Sequence, residues 1–164
     1  MLVLLLSCIL IQGCDKETDR RCTPEKKTYT WERGQTMDES FLVAEGDTMG
    51  FVNVQPGTNQ LFTFEHSYEA CEDIMDSGGK SWIRFMIHPG LEEFEYRDTA
   101  IGRTLINEVK SVWYMNSRAN YFTRGLLRGK KLDGLRWKID FDGSYRNLNG
   151  AETQVSIHEY FTLR

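Results

Sequence analysis

The residues that could do chemistry in this chain of 164 are its carboxylates, histidines, cysteines and bases, and their spacing allows few assemblies. Glu93 and Glu95 flank Phe94, so on a strand both carboxylates point the same way, their Cα atoms about 6.5–7 Å apart. Glycosidases use a carboxylate pair at separations of that order, but across a cleft and with one pKa raised by burial. Leu91-Glu-Glu-Phe-Glu-Tyr96 reads instead as a solvated strand edge. His66, His88 and His158 form no H-E-x-x-H motif and no i, i+4 pair, so surface or structural roles are expected and no metal site is predicted. Asp140-Phe-Asp142-Gly143 resembles the start of a calcium loop, yet its glycine comes too early and the closing glutamate is missing. It reads as a strand end. The sequence has no nucleophile elbow, Walker loop or dinucleotide glycine motif, and it implies no cofactor.

A cluster of bases is the more distinctive feature. Arg124, Arg128, Lys130, Lys131, Arg136 and Lys138 fall within fifteen residues whose one acid is Asp133. A two-residue turn at Asp133-Gly134 would set Lys131 opposite Arg136, and like charges facing each other across strands cost stability. Two readings stand. Arg128, Lys130, Lys131, Arg136 and Lys138 form a patch for an anionic glycan or lipid headgroup, or the lysines guard a sheet edge against pairing with other sheets.

Four cysteines divide by position. Cys14 closes an uncharged stretch in which eight of the first thirteen residues are Leu, Ile or Val, and Asp15-Lys16-Glu17 follows at once. Thirteen residues are too few to span a bilayer as a helix, which takes about 20. They match the apolar core of an export signal, although no Lys or Arg precedes it. Ile11 and Gly13 fit the positions that precede a lipidated cysteine; Gln12 departs from the pattern, and Leu5-Leu6-Ser7-Cys8 leaves too short an apolar run. The segment resembles a bacterial lipoprotein signal, which implies lipidation at Cys14, removal of residues 1–13, and permanent attachment to a membrane through acyl chains worth about 0.8 kcal/mol per buried methylene. The alternatives are an ordinary secreted protein and a buried N-terminal strand. Residues 14–26 are almost wholly polar after Cys14 and read as a flexible tether, with Lys16-Glu17 either an export tag or plain linker. Cys22 and Cys71 either pair, closing a loop worth about 4 kcal/mol, or stay as separate thiols; without C-x-x-C spacing they are not a zinc pattern.

The elements that must position these groups follow from turn chemistry. Pro56-Gly57, Gly78-Gly79, Pro89-Gly90, Asp133-Gly134 and Asn149-Gly150 separate apolar runs, which predicts an antiparallel all-β domain over residues 27–164. Leu135, Trp137, Ile139 and Phe141 alternate with Arg136, Lys138, Asp140 and Asp142, the signature of a strand with one wet face. Val155, Ile157, Phe161 and Leu163 repeat it. Residues 81–87 are apolar on both faces and belong at the centre of a sheet. The reading is a meander over 121–132, 135–146 and 153–163, with earlier strands near 28–32, 40–44, 48–54, 59–66, 80–87 and 91–96. A β-sandwich results, with a closed lipocalin-like barrel as the alternative. Leu105 to Met115 fits a strand better than a helix, residues 68–77 a helical turn, and Trp82, Trp113 and Trp137 the core.

About 150 residues beyond the leader suffice for one domain with a real core. A net charge of −4 gives no reason to expect nucleic acid. The leader to Cys14, the run Asn59-Gln-Leu-Phe-Thr-Phe-Glu-His66 leading through Ala70-Cys71-Glu-Asp-Ile74 to the 82–87 strand, and Gly129-Lys-Lys-Leu-Asp-Gly-Leu-Arg-Trp-Lys-Ile139 together resemble the small uncharacterised lipoproteins of Bacteroidota. The resemblance implies an outer-membrane address, periplasmic or surface-facing, and a β-rich domain. It carries no active site. The expected function is non-enzymatic binding or scaffolding of a glycan or envelope protein, with two alternatives: a carrier of an apolar ligand inside a hollow barrel, and a polysaccharide hydrolase using Glu93 and Glu95.

Overall fold

The computed structural model describes residues 21–44, 47–72, 74, 78–111, 119–147 and 149–164, with the backbone alone over 41–50. Cys14 and the leader lie outside the described residues, as does Trp113. Eleven strands are described: β1 (Cys22–Thr23), β2 (Lys26–Ala44), β3 (Asp47–Ser67), β4 (Ala70–Cys71), β5 (Lys80–Ile87), β6 (Glu93–Arg97), β7 (Asn107–Ser111), β8 (Ala119–Tyr121), β9 (Arg124–Lys131), β10 (Arg136–Arg146) and β11 (Glu152–Leu163). A 3-10 helix, Asp98–Thr104, follows β6. β1 and β4 make a two-stranded ribbon; the other nine form one sheet in the order β6-β9-β10-β11-β2-β3-β5-β7-β8.

The fold is all-β and sandwich-like, and it is made by one sheet folded over on itself. Phe62 of β3 shows how. Its ring stacks on Phe85 of β5 at 4.8 Å and meets Trp137 of β10 at 5.4 Å, Phe161 of β11 at 5.8 Å and Phe94 of β6 at 6.3 Å. The two halves of the strand order therefore face each other across a layer of aromatic rings, completed by Trp31, Ile83, Leu127, Ile139, Phe141 and Ile157. Offset and edge-to-face ring pairs of this kind add about 0.5–1.5 kcal/mol each beyond the area they bury. The described strands do not close into a barrel: β6 and β8 end the order. The inner face is filled by side chains, so the hollow lipocalin-like barrel is set aside. Nor is the sheet purely antiparallel, because its two halves are joined by a parallel pairing of β11 with β2, Thr162 with Thr30 and Leu163 with Trp31.

The turn signals mislead at two places, each for a local reason. Pro56-Gly57 does not reverse the chain. It lies in a bulge of a continuous β3, where Gln35 of β2 faces both Pro56 and Asn59, so the strands expected at 48–54 and 59–66 are one, as are those at 28–32 and 40–44. Gly57 is required there, since a Cβ on it would sit 2.6 Å from that of Thr36. Beyond the bulge the hairpin bends across the outer face of β5 and β7: Thr36 Oγ1 donates to Met86 Sδ at 3.6 Å, and Asn107 Nδ2 lies 3.8 Å from the sulfur of buried Met37. Residues 70–71 are strand rather than helical turn, because they pair with β1. Asn107–Ser111 is strand, in line with the strand reading over that part of the segment, while residues 112–115 lie outside the described residues. The pairing of Cys22–Thr23 starts the ordered fold inside the stretch read as tether.

Candidate functional site

The meander β9-β10-β11 has the expected connectivity, and β6 adds to its outer side. Alternation sends Leu127, Trp137, Ile139 and Phe141 into the core and leaves Arg128, Lys130, Lys138, Asp140, His158 and Tyr160 outward. The register across four strands sets two rows. One runs Glu93, Lys130, Lys138, Tyr160; the next runs Glu95, Arg128, Asp140, His158. Glu93, Glu95, Arg128, Lys130, Lys138 and Asp140 line a depression of about 410 Å³ whose floor includes Phe94 and Gly129.

The β9–β10 hairpin decides which bases reach it. Asp133 Oδ1 accepts from the backbone N–H groups of both Leu135 and Arg136 at 2.8 Å, and Leu132 N–H bonds to the carbonyl of Arg136. The loop is therefore one residue longer than the two-residue turn expected. Lys131 stands opposite Trp137 instead of Arg136, and Lys130 stands opposite Lys138. A shift of one residue moves a side chain to the other face. Lys131 accordingly leaves the cluster and pairs with Glu92 at 3.1 Å, while Arg136 is held by Asp133 at 2.8 Å. Of the five nominated bases, the structure brings Arg128, Lys130 and Lys138 together and not Lys131 or Arg136.

Charges on this face are partly matched. Arg128 Nε lies 3.1 Å from Asp140 Oδ2, and His158 Nδ1 lies 3.2 Å from Asp140 Oδ1, with its Nε2 3.2 Å from Asp142. Burial pushes the Asp140 carboxyl up, but hydrogen bonds from His158 and Arg128 outweigh it and hold the acid below its ordinary value. Glu95 is paired with Arg97 at 2.6 Å. Lys130 and Lys138 make no ion pair among the described residues. Glu93 and Glu95 do share a face, as their spacing implied, but both are exposed on an outer strand beside bases rather than across a cleft.

A second polar group escaped the sequence reading. Glu108 lies on the core side of β7, nearly buried, where the Tyr145 hydroxyl of β10 donates a hydrogen bond to its carboxylate and Lys110 Nζ approaches to 3.3 Å. Burial, then the Glu108 carboxylate, pushes the Tyr145 phenol up. Nothing local in Asn107-Glu-Val-Lys110 signals this, since the partner is 37 residues away. Trp82 also differs from expectation. It is half-buried on the outer face, its indole donates to Glu65 at 3.1 Å, and the Arg84 guanidinium lies over its ring at 5.5 Å.

At one end of the sheet, Cys22 and Cys71 are joined by a disulfide that staples β1 to β4. Among the described residues, the grouping of potential metal-ligand atoms is Cys22, Glu69 and Cys71. With both sulfurs in the disulfide it has no thiolate to offer a metal. No helix among the described residues is long and apolar enough to cross a membrane. No protein-family model, curated protein or solved structure matches this chain.

Proposed function

We propose that this chain is an envelope lipoprotein, anchored through acyl chains on Cys14, whose β-domain binds or scaffolds a glycan or protein at the bacterial outer membrane. The observation that carries the reading is the Cys22–Cys71 disulfide. Disulfides persist in oxidising compartments outside the cytoplasm, which is where a leader of this composition sends a chain. The disulfide supports the address independently of the leader. It also gives the anchor a geometry. Eight residue steps separate Cys14 from Cys22, so the tether spans at most about 29 Å when fully extended, and the stapled end of the sheet stays within that reach of the lipid surface.

The binding reading rests on the exposed, polar outer face of β6, β9, β10 and β11, backed by an aromatic core that holds it rigid. Rigid strands position ligand-contacting side chains more closely than loops do. Resemblance to small Bacteroidota lipoproteins points the same way. Membrane fractionation tests the proposal: the native chain should sediment with outer membrane, resist alkaline carbonate and leave only with detergent, whereas Cys14→Ala should lose that behaviour. A native chain released by carbonate alone would contradict it.

A further inference from the structure

Among the described residues of the outer face, Lys130 and Lys138 stand directly opposite each other on neighbouring strands. Directly opposed residues on antiparallel strands have Cβ atoms only about 4.5–5.5 Å apart, and like charges there are destabilising. Neighbouring pairs on this face relieve each other: Arg128 meets Asp140, and Asp140 meets His158. Neither lysine is within ion-pair distance of an acid among the described residues, although Glu93 stands opposite Lys130 and Asp140 interacts electrostatically with Lys138. Protection of a sheet edge does not explain them. β9 and β10 lie inside the sheet, and β6 covers the side of β9 that would otherwise be open. The topology thus removes edge protection as the reason for the opposed lysines, and their ammonium groups, without a direct ion-pair partner among the described residues, line a ligand-sized depression.

We infer that Lys130 and Lys138 form the subsite for the acid group of an anionic sugar. This deepens the binding function proposed above and rests on it. The lining chooses the class. Arg128, Lys130 and Lys138 are balanced by Glu93, Glu95 and Asp140, so the depression carries no net charge. A polyanion such as nucleic acid gains nothing from such a surface, since it would bring phosphates against three carboxylates. A ligand with a single acid group amid hydroxyls fits each part: the acid sits between the two ammonium groups, and the carboxylates of Glu93, Glu95 and Asp140 accept from hydroxyls in charge-assisted hydrogen bonds. Tyr160, 56% exposed at the end of the lysine row, offers a ring face to a sugar. The volume, about 410 Å³, is of the order of small-ligand sites, ~300–1,000 Å³.

The probe is a galacturonic acid tetrasaccharide, with a neutral galactose tetrasaccharide and sodium sulfate beside it, titrated calorimetrically into the detergent-solubilised native chain. The acidic sugar should bind at least tenfold more tightly than either comparison. Lys130→Gln with Lys138→Gln should reduce that binding tenfold or more while the sugar-free variant still melts in one cooperative transition. Arg146→Gln, on the same strand as Lys138 but outside the depression, should leave binding unchanged. Equal binding of the neutral sugar, equal binding of sulfate, or a double variant that binds as well as the native chain would each overturn the inference. Intact mass on the same sample keeps the two proposals apart: a chain without acyl groups that binds the sugar contradicts only the anchor, and an acylated chain indifferent to the sugar contradicts only the subsite.

Discussion

Individual residues here are ruled by what they face. Glu108 is a carboxylate inside an apolar layer, tolerable because Tyr145 and Lys110 satisfy it. Removing one partner of a buried hydrogen bond leaves the other desolvated at about 1–3 kcal/mol. Tyr145→Phe should therefore lower stability by about that amount in urea denaturation, and Glu108→Gln in the same background should recover part of it, since a neutral amide is cheaper to bury. At the surface, Glu65 accepts from Lys80 at 2.9 Å and from the Trp82 indole at 3.1 Å, and these bonds, Lys80 first, hold its carboxyl below the ordinary value of 4.5. Such a depressed carboxyl stabilises the fold in full above its unfolded-state value and loses that contribution as pH falls through its folded value. Thermal stability should accordingly fall as pH drops below about 4.5, and Glu65→Gln should flatten that acid limb by lowering stability at pH 7, where the charged carboxylate contributes in full, while changing little at low pH. An acid limb of equal slope in the variant would show that the charge of Glu65 contributes nothing.

At the scale of elements, the sequence was most informative where alternation and turn chemistry agreed. Trp137, Ile139 and Phe141 alternate with charged residues, and the β9-β10-β11 meander follows with strand ends within a few residues of those expected. It was least informative where one residue decides. The Asp133 side chain caps two backbone N–H groups, lengthens the hairpin by one residue, and so exchanges Lys130 for Lys131 on the outer face. Composition registers the cluster of bases but not which of them share a face. The β2–β3 bulge was hidden likewise, because Pro56-Gly57 has the same composition whether it ends a strand or bends one. Close packing between elements gives a further test. A Cβ on Gly129 would meet ring carbons of buried Phe94 at 2.4 Å and Ile139 Cδ1 at 2.7 Å. Overpacking of a core typically costs about 1–3 kcal/mol, so Gly129→Ala should destabilise by that order, and Phe94→Leu should relieve part of the loss. Since Gly129 lies under the depression, the same variant should also disturb ligand binding.

For the whole molecule, one sheet supplies both layers, and the long-range pairings that close it are few. The parallel junction of β11 with β2 spans two residue pairs, and the disulfide ties the ribbon ahead of β2 to the chain beyond β3. Cross-linking residues 49 apart is worth about 4 kcal/mol on the chain-entropy model. Cys22→Ser with Cys71→Ser should therefore cost about 4 kcal/mol, read from the shift of the denaturation midpoint at constant slope. The all-β class was visible in the spacing of turn residues along the chain. The fold-over was not, because it depends on contacts such as Phe62 with Trp137 that no local pattern encodes. On the proposed reading, the exposed outer face would bind the ligand, and acyl chains on Cys14 would hold the domain close to the membrane at its disulfide end. That reading stands on the modification of one residue. The most direct test is the intact mass of the protein purified from its native membrane. The account predicts a chain that begins at Cys14, lacks residues 1–13 and carries the added mass of a diacylglyceryl group, all of it lost on Cys14→Ala. A mature chain of unmodified mass, or one cleaved elsewhere, would contradict the account.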